Sequence, residues 1–128
     1  MSKATRFREL LKNDGIIVMP GAYDGLSARL VEETGFQAML ATGAGISNSQ
    51  LGWADVGLTT MTEVAQAISR MADVTTIPIL ADADTGYGNA INVIRMVREF
   101  ERAGAAGIQI EDQVMPKKCG HFTGKDVI

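Results

Sequence analysis

Ile77-Pro78-Ile79-Leu80-Ala81 is a short apolar run that passes directly into Asp82-Ala83-Asp84. A nearly continuous apolar stretch of this length, stopped by polar residues, reads as a strand buried on both faces, the pattern of a parallel sheet. Three other runs share it. Ile16-Ile17-Val18-Met19 stops at Pro20-Gly21, Ala38-Met39-Leu40-Ala41 at Thr42-Gly43, and Gly107-Ile108-Gln109-Ile110 at Glu111-Asp112. Helical patterns fill the gaps. Residues 2–13 put Phe7, Leu10 and Leu11 on one stripe. Asp24 suits the N-cap of a helix burying Leu26, Leu30 and Val31 and stopping at Gly35. Thr60 with Glu63 three residues on forms a capping-box pattern before Val64, Ala67, Ile68 and Met71. A last helix opens at Asn89 or Ala90 and repeats Val93, Ile94, Val97 and Phe100 before Gly104. The order, a helix and then β-α-β-α-β-α-β, predicts an α/β chain with four parallel strands in one domain over residues 1–128.

Composition narrows the class. Hydrophobic residues at 46% and charged residues at 21% of 128 fit a globular chain and argue against disorder. A net charge of −3 lacks the broad positive field that phosphate backbones select, so nucleic acid is not an expected partner. No apolar run reaches the roughly 18 residues of a membrane span, and the charged stretch Met1 to Leu11 has no secretory apolar core. The single cysteine, Cys119, cannot form an internal disulfide, and a cytoplasmic location is expected.

Two glycine clusters invite a dinucleotide reading. Gly43-Ala44-Gly45-Ile46-Ser47-Asn48 follows a strand, but Asn48 stands where the third glycine of that fingerprint belongs. Gly86-Tyr87-Gly88-Asn89-Ala90-Ile91 fails in the same way, and no phosphate-loop lysine follows either. Tight turns explain these glycines better.

Acids gather at the strand ends. Asp82 and Asp84, two apart, point to one side, and Glu111 holds the equivalent place after the next strand. Parallel α/β folds present the C-terminal ends of their strands to ligands. Carboxylates brought together there repel unless a cation lies among them, and hard oxygen donors suit Mg²⁺. Without that convergence the acids would simply cap helices or face water, as expected for Asp112. Cys119 sits in Pro116-Lys117-Lys118-Cys119-Gly120-His121, where positive neighbours favour a thiolate, although a lone cysteine is commonly a small buried hydrophobe. His121 has no second histidine to build a metal site and reads as a loop-ordering residue.

Pro20-Gly21-Ala22-Tyr23-Asp24, Asp82-Ala83-Asp84-Thr85-Gly86-Tyr87-Gly88, Gly107-Ile108-Gln109-Ile110-Glu111-Asp112-Gln113 and Lys117-Lys118-Cys119-Gly120-His121 together resemble the isocitrate lyase/phosphoenolpyruvate mutase superfamily. Methylisocitrate lyase-like and dimethylmalate lyase-like members are the nearest, and the similarity runs from about Phe7 to the last residue. The resemblance implies the N-terminal half of a (β/α)₈ TIM-type barrel with an extra helix before its first strand. It implies a Mg²⁺ site at Asp82 and Asp84, supported by Glu111 and by Asp55. Thr42, Gly43 and Ala44 match the stretch that holds the substrate carboxylate and oxygen. Cys119 matches a catalytic acid on a gate loop, and Gly120 matches its substrate-contacting neighbour.

The reaction so implied is Mg²⁺-dependent cleavage of a 2-hydroxy acid, of 2-methylisocitrate or 2,3-dimethylmalate type, to a 2-oxo acid such as pyruvate and a carboxylate. Phosphonomutase members lack the loop cysteine, which favours lyase chemistry. Leu40 stands where methylisocitrate lyases tend to carry a tyrosine, so an oxaloacetate-cleaving activity stays open. Tyr23 is a candidate base by its loop position. A complete barrel takes about 250 residues and eight strands. The chain is therefore expected to be one part of a larger enzyme, completed by the other barrel half or by association as a homo-oligomer; a non-catalytic half-barrel is the competing expectation.

Overall fold

The computed structural model describes residues 1–128. Four strands, β1 (Gly21–Ala22), β2 (Met39–Ala41), β3 (Ile79–Asp82) and β4 (Gly107–Gln109), form one sheet in the order β1-β2-β3-β4. All neighbours are parallel, with crossovers through α2 (Gly25–Glu33), α4 (Met61–Val74) and α5 (Ala90–Ala103), preceded by α1 (Lys3–Lys12). Four parallel strands in sequential order are what half of an eight-stranded barrel requires.

The first strand differs from expectation. Ile16 to Met19 is not a strand; pairing begins at Pro20, whose carbonyl accepts from Leu40 N–H at 3.0 Å. The register Gly21↔Leu40 would set Ile17–Met19 opposite Phe36–Ala38, which belong to the irregular exit from α2 and offer no ladder. Ile16 is accordingly 93% exposed.

Caps explain where the helices start. Asp24 accepts from Ser27 N–H at 2.7 Å while Ser27 Oγ accepts from Asp24 N–H at 3.1 Å, and Thr60 with Glu63 makes the corresponding pair. Asn89 caps α5 by accepting from Ile91 and Asn92 N–H, and Gly104 closes it at φ +100°. Helices α2, α4 and α5 pack on one face of the sheet. Ala22, Ala41 and Ala81 form a fully buried row there, meeting Val64, Ala67, Ile68 and Met71 of α4 and Met96 and Phe100 of α5. Three alanines in register leave room for these larger side chains to approach the sheet.

The apolar stripes are wider than the surface that covers them. α4 buries all four expected residues, but α2 buries Ala28 and Val31 and leaves Leu26 and Leu30 exposed. In α5, Met96 and Phe100 are buried whereas Ile94 and Val97 are exposed. In α1, Phe7 is buried and Leu11 is exposed. Of these, Val97 borders the open edge at β4. A groove of about 270 Å³ beside β1 is lined by Ile16, Ile17, Val18 and Phe36, and one of about 350 Å³ beside β4 by Ala4, Val97, Ala105 and Ile108.

The opposite face of the sheet carries the row Gly21, Leu40, Leu80 and Gly107. Leu40 and Leu80 are half-buried, and Phe7 of α1 occupies the space against Gly107. Two residues further along each strand, this face presents Tyr23, Thr42, Asp82 and Gln109.

Candidate active site

Asp82 ends β3 with its side chain on the open face, fixed from two sides. Gly43 N–H donates to its Oδ2 at 3.1 Å, and Asp84 N–H donates to its Oδ1 at 3.1 Å. Asp84 adopts φ +46°, a left-handed conformation that aspartate tolerates better than most side chains. Its carbonyl accepts from Glu111 N–H at 2.7 Å, so β3–β4 pairing continues past the strands and draws Glu111 to the acid pair. Asp55 arrives from a loop after a π-helical turn (Ser47–Leu51), steadied by Ser47 Oγ donating to the carbonyls of Trp53 and Ala54.

The sequence reading missed the residue that joins these acids. Lys117, only 1% exposed, places Nζ 2.9 Å from both carboxylate oxygens of Asp55, 2.8 Å from Asp84 Oδ1 and 3.9 Å from Glu111 Oε2. The one local cue, a lysine shortly after the strand-end acid in the loop that carries the cysteine, does not point to its partner. Reading it only as a positive neighbour of Cys119 overlooked that a lysine can serve a carboxylate distant in sequence.

Charge does not balance. Asp55, Asp84 and Glu111 share one ammonium, and Asp82 beside them adds a fourth carboxylate. Burial pushes the Asp84 carboxyl above its ordinary range, with Asp82 and Asp55 adding to the rise and Lys117 opposing it. Burial likewise raises Glu111, again against Lys117 and with help from its acidic neighbours. For Lys117, burial alone would lower the ammonium, but its contacts with Asp84 and Asp55 outweigh burial and hold it above an ordinary lysine. Tyr87, edge-on to Phe100 with centroids 6.0 Å apart, is driven far up by burial and then by Asp84, so its phenol keeps its proton.

The remaining site residues divide. Thr42 caps the short helix α3 (Gly43–Ile46) by accepting from Gly45 N–H at 3.3 Å, and Ala44 lies in its first turn. Gly43 and Gly45 are therefore helical, correcting their reading as tight turns; Gly86 and Gly88, at φ +95° and +143°, are turn glycines. Gly43 matters for space, since a Cβ there would stand 2.8 Å from Asp82 Oδ2 and 3.6 Å from Asp84 Oδ1. Tyr23 packs beside Gly45. Cys119 N–H donates to the Asp55 carbonyl at 2.9 Å, tying the thiol segment to the acid cluster, and Sγ lies 3.4 Å from His121 Nδ1. Gly120 is exposed beside them, as is Asp112.

The donor set suits a hard cation in two respects. It consists of carboxylates in excess of positive charge, and the missing Gly43 side chain leaves a cradle beside both aspartates. No three acid, histidine or cysteine side chains converge tightly enough to ligate one ion together. An ion that keeps most of its waters needs fewer protein ligands, and Mg²⁺ is such an ion.

The profile of the phosphoenolpyruvate phosphomutase family matches residues 7–126. The chain belongs to the phosphoenolpyruvate mutase/isocitrate lyase superfamily. Within that superfamily it is 50% identical over 128 residues to a 2,3-dimethylmalate lyase of Eubacterium barkeri, covering 100% of this chain and 44% of that protein. It is 54% identical over 121 residues to a 2-methylisocitrate lyase of Aeropyrum pernix, covering 94% of this chain and 39% of that one. A solved oxaloacetate acetylhydrolase bound to 3,3-difluorooxalacetate superposes with a TM-score of 0.94 at 42% identity, over 99% of this chain and 44% of that one. The chain thus spans less than half the length of the superfamily relatives it matches. The four-stranded sheet is part of the superfamily's TIM-type barrel, and the site lies at the C-terminal strand ends, where such barrels carry theirs. No helix is long and apolar enough to cross a membrane.

Proposed function

We propose that this chain supplies the acid- and thiol-bearing half of a Mg²⁺-dependent carbon–carbon lyase, which cleaves a 2-hydroxy acid to a 2-oxo acid such as pyruvate and a carboxylate. The observation that carries it is the convergence of Asp82, Asp84, Glu111 and Asp55 on one sheet face, with a surplus of negative charge and with Cys119 tethered to Asp55. A module built only for assembly has no use for that arrangement.

Asp82 and Asp84 would hold the ion, with Glu111 reaching it through water, while Asp55 is committed to Lys117. When bound, Mg²⁺ supplies Lewis-acid stabilisation of the oxygen charge that develops as the bond breaks. Gly43 N–H orients Asp82, and Lys117 keeps Asp55 and Asp84 from repelling each other. Thr42, Gly43 and Ala44 line the adjoining strand end, where the substrate carboxylate would lie. Tyr23, on the same face beside Gly45, is the candidate base, and as a phenolate it would take the hydroxyl proton. Cys119 gives its thiol proton to the departing carbon, which leaves carrying the bonding electron pair. The other half of the barrel would complete the substrate enclosure and exclude water.

The test is 2-oxo acid release from a panel of 2-hydroxy acids, with and without Mg²⁺, by this chain and by a form extended to barrel length. Release that requires Mg²⁺, is abolished by Cys119→Ser and leaves Mg²⁺ affinity unchanged in that variant is expected. No product from either form would favour a non-catalytic half-barrel. Oxalate release from oxaloacetate is the second reading, supported by the superposition on oxaloacetate acetylhydrolase at a TM-score of 0.94.

A further inference from the structure

Gln113 stands two residues beyond Glu111 and six before Cys119. Its side-chain amide uses both ends. Nε2 donates to Glu111 Oε2 at 2.6 Å and to the Lys118 carbonyl at 3.0 Å, while Oε1 accepts from Lys118 N–H at 2.9 Å. Both backbone groups of the residue preceding the cysteine are thus held by one side chain, which also grips a site carboxylate. Gln113 further forms an isolated antiparallel bridge with Val127, so its backbone is anchored as well. Besides Gln113, the segment is held by turn contacts such as Lys125 Nζ to the Gly120 carbonyl, by Val114 N–H to the Asp126 carbonyl, by Lys117 to Asp55 and Asp84, and by the Cys119 amide to Asp55.

We infer that Gln113 is a positioning residue: a clasp that fixes the Cys119 segment against Glu111 and sets how far the thiol stands from the acid cluster. Glutamine meets the need because one planar group both donates and accepts. Glutamate would keep the Lys118 N–H bond, lose both donations and bring a second carboxylate onto Glu111. Methionine would keep the volume and lose all three bonds. The inference rests on the proposed function for its consequence in catalysis, but the clasp is a statement about the thiol segment alone. Its test therefore reads amides and the thiol rather than turnover, and its failure would leave the lyase reading standing.

Cys119 is the only cysteine, so its alkylation reports this segment without interference. In the wild-type chain, hydrogen exchange at the Lys118 amide is expected to be at least about fivefold slower than in an unstructured peptide, the weight of one ordinary hydrogen bond. Gln113→Met should abolish that protection and raise the iodoacetamide rate at Cys119 by about fivefold or more, while exchange in α4 stays unchanged. Gln113→Glu should retain the Lys118 protection and still speed alkylation, a split that a general loss of stability would not produce. Alkylation within twofold of wild type in Gln113→Met would overturn the clasp, as would unprotected Lys118 in the wild type. The wild-type exchange decides the matter should the Met variant not fold.

Discussion

Asp84 concentrates the conflict between stability and function in one side chain. It is buried, carries a left-handed backbone, faces Asp82 and Asp55, and is only partly offset by Lys117. Its carboxyl holds the proton longer in the folded chain than in the unfolded one. The folded state therefore binds more protons, and stability falls as pH rises from the ordinary carboxylate range through the raised folded value. The capping acids Asp24 and Glu63 act in the opposite sense. Their carboxyls are lowered by bonds to Ser27 and Thr60, so they add stability above the ordinary range and lose it as pH falls. Asp84→Asn isolates the first effect, since Lys117 keeps both oxygens of Asp55. With chelator present, urea unfolding should show the variant more stable than the wild type at pH 7.5. The difference should shrink toward zero near pH 4, and an equal gain at both pH values would contradict the assignment.

At the level of the elements, α3 meets β3 through a residue defined by what it lacks. Gly43 is helical, so alanine there would ordinarily help by about 1 kcal/mol on propensity alone. Its methyl would instead collide with Asp82 Oδ2 at 2.8 Å. Gly43→Ala is expected to cost about 1–3 kcal/mol in urea unfolding and to weaken Mg²⁺ binding; a stabilised variant would show that the space is not closed. This level is also where the sequence was read best and worst. Capping residues Asp24, Thr60 and Asn89 name their own helix starts, because a cap is a local interaction among neighbours. The strand at Ile16–Met19 was misread because pairing depends on what lies opposite, and there the partner is a turn. Asp82 follows from strand parity, whereas Asp84 lies past the strand at φ +46° and meets Asp82 and Glu111 through backbone bonds. Lys117 was not legible, since its partner Asp55 lies 62 residues away and spacing carries no trace of that contact.

For the molecule as a whole, the unfinished surfaces dominate. β1 and β4 each leave one parallel edge unpaired, with an apolar groove lined by Ile16, Val18 and Phe36 beside one and by Val97 and Ile108 beside the other. Open edges flanked by apolar side chains recruit further chain. Light scattering after size-exclusion chromatography is expected to show association of this 13.6 kDa chain, suppressed in a form extended to barrel length. A stable monomer at micromolar concentration would contradict that expectation. The open face has a functional side too, since half-buried Leu40 and Leu80 and the acid row above them are left for the rest of a barrel to enclose.

The account stands or falls on whether the excess carboxylates hold a divalent ion. Calorimetric titration of the chain with Mg²⁺ should show one site per chain, lost in both Asp82→Asn and Asp84→Asn and kept in Cys119→Ser. Absence of binding, or binding that survives both aspartate replacements, would contradict it.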